Sequence, residues 1–218
     1  MRRLAIFSLA LYSALVVGVG AALLAGSIQP ISKSVATYHL ADCEHPCWIG
    51  IIPGKTSREE VRMRVVALLR SLPGYSFNNE TFRYDSLRFT LRDAKHKGEV
   101  MIDVTCLTHD EVVSSCAIGW NPDLEVGVPT LTDLQSLLGK PDSVSWSPGI
   151  ITQIYGDAYH GTALLALANW MRPNDRLALG ARALGIVFYA SDRPMLDPEH
   201  FRAWRGFTIA ARYVEANR

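Results

Sequence analysis

Glu99-Val100-Met101-Ile102-Asp103-Val104-Thr105-Cys106 alternates apolar and polar side chains, and Cys116-Ala117-Ile118-Gly119-Trp120 resumes the alternation further on. A period of two marks a half-buried strand. Between the two runs, Thr108-His109-Asp110-Glu111 is polar and predicts a turn. Two strands joined by a short polar turn form an antiparallel hairpin. Cys106 and Cys116 then face each other across it at a distance a disulfide can close. Thr81–Arg92 reads as a third strand, joined to the pair through the polar turn Asp93-Ala94-Lys95-His96-Lys97-Gly98.

Upstream lies the helix that such a sheet needs for a cover. Val61, Val65, Leu68, Leu69 and Leu72 recur at helical spacing, with Arg58, Arg62, Arg64 and Arg70 interleaved. Thr56 and Glu59 have the spacing of a capping box, and Pro73-Gly74 stops the helix. Downstream the pattern restarts. Thr130 and Asp133 take capping positions, Leu131, Leu134, Leu137 and Leu138 form the apolar stripe, and Gly139-Lys140-Pro141 ends it. Asp142–Ser147 and Ile150–Tyr155 flank Pro148-Gly149 as a second hairpin, and Ala183–Ala190 is a further strand. Thr162–Met171 suits helix by composition and strand by position. Pro198–Trp204 reads as helix, and Phe207–Val214 as a last strand or helix.

Residues 4–32 carry no charged side chain, and Arg2 and Arg3 precede them. At about 1.5 Å per helical residue, 4–26 is long enough for a ~30 Å hydrocarbon core, with the arginines on the cytoplasmic side. The alternative is a cleaved secretory signal ending in the small residues Ala25-Gly26-Ser27; its usual apolar core is shorter. Leu23-Leu24-Ala25-Gly26-Ser27 also has the shape of a lipoprotein box, with Ser27 where acylation needs cysteine. The expectation is a single-pass cell-membrane protein with its C-terminal part extracytoplasmic. Beyond Ser27 stand 21 acidic and 20 basic residues, a near-neutral balance that excludes a basic nucleic-acid binder.

Four cysteines, Cys43, Cys47, Cys106 and Cys116, imply disulfides in an oxidising compartment. Three pairings are possible; the local one joins Cys43 to Cys47 and Cys106 to Cys116. The alternative for the first pair is chemistry. Cys43-Glu44-His45-Pro46-Cys47 places two soft thiolates around a histidine, a donor set for Cu(I) or for thiol–disulfide exchange. It resembles the copper site of Sco-type chaperones, which carry theirs on a thioredoxin-like fold whose βαβ pattern is not evident here.

A wider resemblance rests on helix ends. Ile52-Pro53-Gly54-Lys55-Thr56-Ser57-Arg58-Glu59-Glu60-Val61 resembles the start of the first helix in BamE/SmpA-type outer-membrane assembly lipoproteins, and Leu137-Leu138-Gly139-Lys140-Pro141-Asp142 resembles the end of that helix. The resemblance implies helices packed on a three-stranded antiparallel sheet. Two such units in tandem are similar to the β-lactamase inhibitor protein architecture. Pro46-Cys47-Trp48-Ile49-Gly50-Ile51-Ile52-Pro53-Gly54-Lys55-Thr56, with Trp204-Arg205-Gly206-Phe207 and Arg212-Tyr213, is also similar to uncharacterised exported bacterial proteins of the Chloroflexi type. Two features depart from the assembly lipoproteins: the first helix exits through Leu72-Pro73-Gly74, and their lipid-anchor cysteine is missing.

Catalytic signatures are absent: no His-Glu-x-x-His, no Gly-x-Ser-x-Gly, no phosphate-binding glycine loop. Asp157, His160 and Asp192 are candidates for convergence near sheet ends, although their spacing does not demand it. Asn79-Glu80-Thr81 matches a glycosylation acceptor. The tryptophans suit core and sheet packing. Trp120 and Trp146, at or near strand ends, are the candidates for a partner-binding face. The expected fold class is α+β, an N-terminal transmembrane helix followed by two helix-plus-antiparallel-sheet units in tandem. The division is a signal anchor over 1–27, a tether over 28–42, a first unit over 43–125 and a second over 126–218. The expected role is non-catalytic: protein binding or envelope scaffolding, without cofactor. The alternative is an extracytoplasmic copper or thiol–disulfide protein using Cys43 and Cys47.

Overall fold

Among the described residues the strand grammar resolves into nine strands of one antiparallel sheet. The computed structural model describes residues 2–27, 31–72, 75–83, 85–93, 100–121, 127–147, 150–157, 160–167, 181–190 and 202–203. The helices are α1 (Arg2–Ser27), α2 (Lys33–Thr37), α3 (Arg58–Ser71) and α4 (Leu131–Leu138). The strands are β1 (Tyr75–Arg83), β2 (Ser86–Asp93), β3 (Val100–His109), β4 (Val112–Trp120), β5 (Ser143–Ser147), β6 (Ile150–Gly156), β7 (His160–Leu167), β8 (Ala183–Ala190) and β9 (Arg202–Ala203). Their order across the sheet is β1-β2-β3-β4-β8-β7-β6-β5-β9.

Residues 1–32 form one unit and 33–218 another. In the first, α1 carries exposed apolar side chains such as Phe7, Leu11 and Leu15. Among the described residues no helix is long and apolar enough to cross a membrane. This corrects the expected transmembrane helix and the single-pass localisation.

The second unit corrects the expectation of two separate helix-plus-sheet units. It has two halves, each a helix followed by four antiparallel strands, and they share one sheet. β4 pairs with β8, from Ser115 opposite Tyr189 to Gly119 opposite Gly185. The reason is edge pairing. β4 would otherwise end the first half with unpaired backbone groups, which β8 satisfies. Glycines permit the approach there: a Cβ on Gly185 would stand 2.7 Å from the Ile118 carbonyl oxygen. The boundary expected at 125/126 touches residues 122–126, which lie outside the described residues.

The halves also share a joint between helix and sheet. α3 begins at Ser57, which bridges Val112 at the start of β4. α4 begins at Thr130, which bridges Arg182 just before β8. Each helix start is thereby fixed to the strand that its half contributes to the centre. Thr130 and Asp133 form the expected capping box. In α3 the box falls one residue later than expected, on Ser57 and Glu60. Thr56 is buried, and its hydroxyl accepts from the Ile52 N–H at 2.8 Å. Ser57→Ala is expected to cost about 1 kcal/mol, read as a lower urea midpoint with an unchanged slope.

Two other stretches differ from the reading above, and the stretch left open between helix and strand is decided. Thr81–Arg92 is the meeting of β1 and β2, with Arg83 opposite Ser86. His160–Leu167 is a strand despite its Ala and Leu content, because both faces are buried there: Thr162, Ala163 and Leu164 are all inside. Tertiary burial overrides local preference. Arg202–Ala203, expected in a helix, pairs with β5 instead. The expected tether also contributes to the core, since α2 and the turn after it bury Val35, Tyr38 and Leu40. The Pro148-Gly149 turn and the segment Phe207–Val214 lie outside the described residues.

Candidate functional site

The two faces of the sheet differ in cover. On one face the register aligns Leu87, Cys106, Cys116, Phe188, Thr162 and Tyr155 across six strands. The next row aligns Phe89, Val104, Ile118, Ile186, Leu164 and Gln153. These side chains are buried. They form the core with Val61, Val65 and Leu69 of α3, Leu131 and Leu134 of α4, and Trp48 and Ile51.

The opposite face carries the row Thr81, Arg88, Thr105, Ala117 and Val187. Beside it run Thr90, Asp103, Gly119 and Gly185. On β2, β3 and β4 this face meets solvent: Arg88 and Leu107 are exposed, while Thr90, Thr105 and Ala117 are half-buried. Toward β6 and β7 the same face closes, with Ile154 and Ala163 buried. The open strip therefore belongs to the first half. Arg88 donates to the Asp103 carboxylate from Nε at 3.0 and 3.1 Å and from Nη2 at 2.8 Å. A fork-to-carboxylate pair of this kind fixes both side chains flat on the strip. Leu107, 41% exposed, lies on the same face of β3, two residues beyond Thr105, the cross-strand partner of Arg88.

The cysteines form two disulfides, Cys43 with Cys47 and Cys106 with Cys116. Cys106 and Cys116 are directly opposed in the β3–β4 hairpin and fully buried. In the disulfide the Cys43 and Cys47 thiolates needed for copper do not exist. Among the described residues no group of three or more His, Cys, Asp or Glu side chains is placed to hold a metal ion. Trp120 is 4% exposed and packs on Tyr38, with ring centroids 5.5 Å apart. It belongs to the core under α2 and not to the solvent-facing strip. The backbone of Trp146 pairs with Ile151, and its side chain lies outside the described residues. Asp157 and His160 are together, the His160 N–H donating to Asp157 Oδ1 at 2.7 Å, but both are exposed. Asp192 lies outside the described residues.

Polar groups also sit beneath the cover, where little in the local pattern marks them. Gln153 is fully buried; its Oε1 accepts from Gln135 Nε2 of α4 at 2.9 Å and from the Tyr155 hydroxyl at 3.0 Å. Burial, aided by Asp142, raises the Tyr155 hydroxyl pKa. Tyr189 is pushed up to about 12 by burial and then by Asp157 and Asp142, and its hydroxyl donates to the Asp157 carbonyl at 2.6 Å. Both tyrosines stay protonated as hydrogen-bond donors. The sequence signal was a lone glutamine inside the apolar run Ile150-Ile151-Thr152-Gln153-Ile154-Tyr155.

Comparison with protein-family models, with curated proteins and with solved structures finds no match to this chain.

Proposed function

We propose that this chain is a non-catalytic protein-binding or scaffold protein whose partner docks on the solvent-facing strip of β2, β3 and β4. The carrying observation is the asymmetry of the sheet. Helices α2, α3 and α4 and the loop before α3 contribute to the core on one face, and the other carries Leu107, Ala117 and Thr105 together with the Arg88–Asp103 pair. An exposed aliphatic anchor next to a fixed arginine is the composition of a small interface centre. The resemblance of Pro53-Gly54-Lys55-Thr56 and Leu138-Gly139-Lys140-Pro141 to assembly-lipoprotein and inhibitor units supports the same reading.

A photo-crosslinking side chain at Ala117 tests it against one at Glu59, which lies exposed on α3. A discrete adduct from position 117, absent from 59, is the expected result. Leu107→Asp should weaken that capture by about 2 kcal/mol, roughly 30-fold, with little change in melting temperature. Equal labelling from both positions would remove the strip as the site. Tight stoichiometric Cu(I) uptake by the reduced chain, lost in Cys43→Ser, would favour the copper alternative instead.

A further inference from the structure

Among the described residues, five buried side-chain polar atoms have no hydrogen-bond partner: Nδ1 and Nε2 of His45, Nε1 of Trp120, Nε2 of Gln153 and Oγ1 of Thr162. Three of them, those of His45 and Thr162, belong to neighbours of one aromatic ring. His45 stacks flat on Phe188, with centroids 5.6 Å apart and planes 5° from parallel. Trp48 stacks on the same ring at 6.3 Å. Thr162 is the direct cross-strand neighbour of Phe188, and Tyr155 of Thr162. Gln153, two residues before Tyr155 on the same face, extends the patch toward α4. Buried polar groups are almost always paired, so three unpaired atoms beside one ring mark a closed arrangement that opening would relieve. His45 sits on the residue loop that the Cys43–Cys47 bond closes. Asp42, paired with His39, and the Trp48–Ile51 backbone pair flank that loop.

We propose that the disulfide-closed loop Cys43–Cys47 is a proton-operated latch, shut on Phe188 while His45 is neutral and lifting as one piece when His45 is protonated, which uncovers Phe188 and its cross-strand neighbour Thr162. An imidazolium on Phe188 would carry two N–H donors with nothing to receive them. Among the described residues, no free carboxylate faces it. On its own loop Glu44 points to solvent, and Asp42 holds His39. From α3, Arg64 donates to the Ile49 carbonyl and is itself cationic. From β8, the Tyr189 hydroxyl is spent on Asp157. From β4, Cys116 is in its disulfide. The ring face of Phe188 offers a cation only partial compensation. Burial accordingly holds the His45 pKa below its ordinary 6.5. The sign follows. In an open loop His45 takes its proton near 6.5, whereas the shut loop keeps it neutral to lower pH. Closure is therefore favoured above 6.5 and weakens as pH falls.

Amide hydrogen exchange on the full chain tests the latch. The Trp48 and Ile51 amides, which bond to each other's carbonyls at 3.0 and 2.7 Å, report on the loop base. Corrected for intrinsic rates, their protection should fall about tenfold between about pH 7.5 and about pH 5. Val104 and Ile118, in the sheet centre, should keep theirs. In His45→Phe, which retains a ring on Phe188 without a titrating nitrogen, loop protection should not vary with pH. Thr162→Val removes an unpaired hydroxyl at constant shape and should raise loop protection at every pH. The proposal is overturned if Val104 and Ile118 lose protection in step with the loop, or if His45→Phe keeps the pH dependence. It also fails if Thr162→Val loosens the loop. In the wild-type chain the His45 ring should titrate below 6.5 by NMR, together with the loop amides. A midpoint at or above 6.5 sinks the latch even where a variant does not fold.

Discussion

Phe188→Ala is expected to lower the stability of the sheet unit by about 3–5 kcal/mol, the range for deleting a fully buried aromatic ring. Phe188 is 0% exposed and lies at the meeting of three layers of contact. Cys116 and Thr162 flank it across the strands, and His45 and Trp48 stack on it from the loop. Those rings are held by a disulfide and by the Trp48 Nε1 bond to the Tyr38 carbonyl at 2.9 Å, so they are poorly placed to collapse into the void. In a unit of this size the loss corresponds to a melting temperature on the order of 10 °C lower. Leu107→Ala, on the exposed strip, is the matching control and should cost about 0.5 kcal/mol or less. A Phe188→Ala loss no larger than the control's would mean that the loop does not rest on this ring.

The second large effect belongs to the β3–β4 disulfide. Joining Cys106 to Cys116 closes a sequence separation of 10 residues, worth about 3 kcal/mol in the loop-entropy account. Replacing both by alanine should cost at least that, because the two sulfurs are fully buried and their removal leaves space in the core. Replacing Cys43 and Cys47 closes a separation of only 4 residues and should cost about 2 kcal/mol. Chemical denaturation of the two double variants against wild type decides the order. Alkylation under limiting reductant should label Cys43 first, since it is half-buried while Cys106 and Cys116 are not reached by solvent. Labelling of Cys106 or Cys116 ahead of Cys43 would show that the hairpin opens before the loop.

Local grammar was legible wherever one face of an element alone decided its pattern. Val61, Val65, Leu68, Leu69 and Leu72 are all buried as their spacing implies. The alternation of Ile102, Val104 and Cys106 is the core face of β3. The reading failed where the environment was two-sided or distant. β7 has no alternation because both of its faces are inside, so its Ala and Leu content pointed equally to helix. The reversal between Arg83 and Ser86 carries no glycine or proline, which hid the β1–β2 hairpin inside one apparent strand. Trp120 sits at a strand end as anticipated, but α2 and Tyr38 cover that end, a contact between segments more than eighty residues apart. The grouping of His45, Phe188 and Thr162 was invisible for the same reason. Each looks ordinary in its own segment, and only the β4–β8 and β7–β8 pairings and the folded-back loop bring them together.

The central β4–β8 pairing has the geometry of a symmetric dimer contact drawn inside a single chain. Like strands of like halves meet antiparallel, as two copies of one subunit do across a two-fold axis. A fragment holding only the first half would end in a bare β4 whose best available complement is another β4. Such a fragment has every reason to assemble with itself, and the covalent continuity of the whole chain is what turns that adhesive edge into an interior seam.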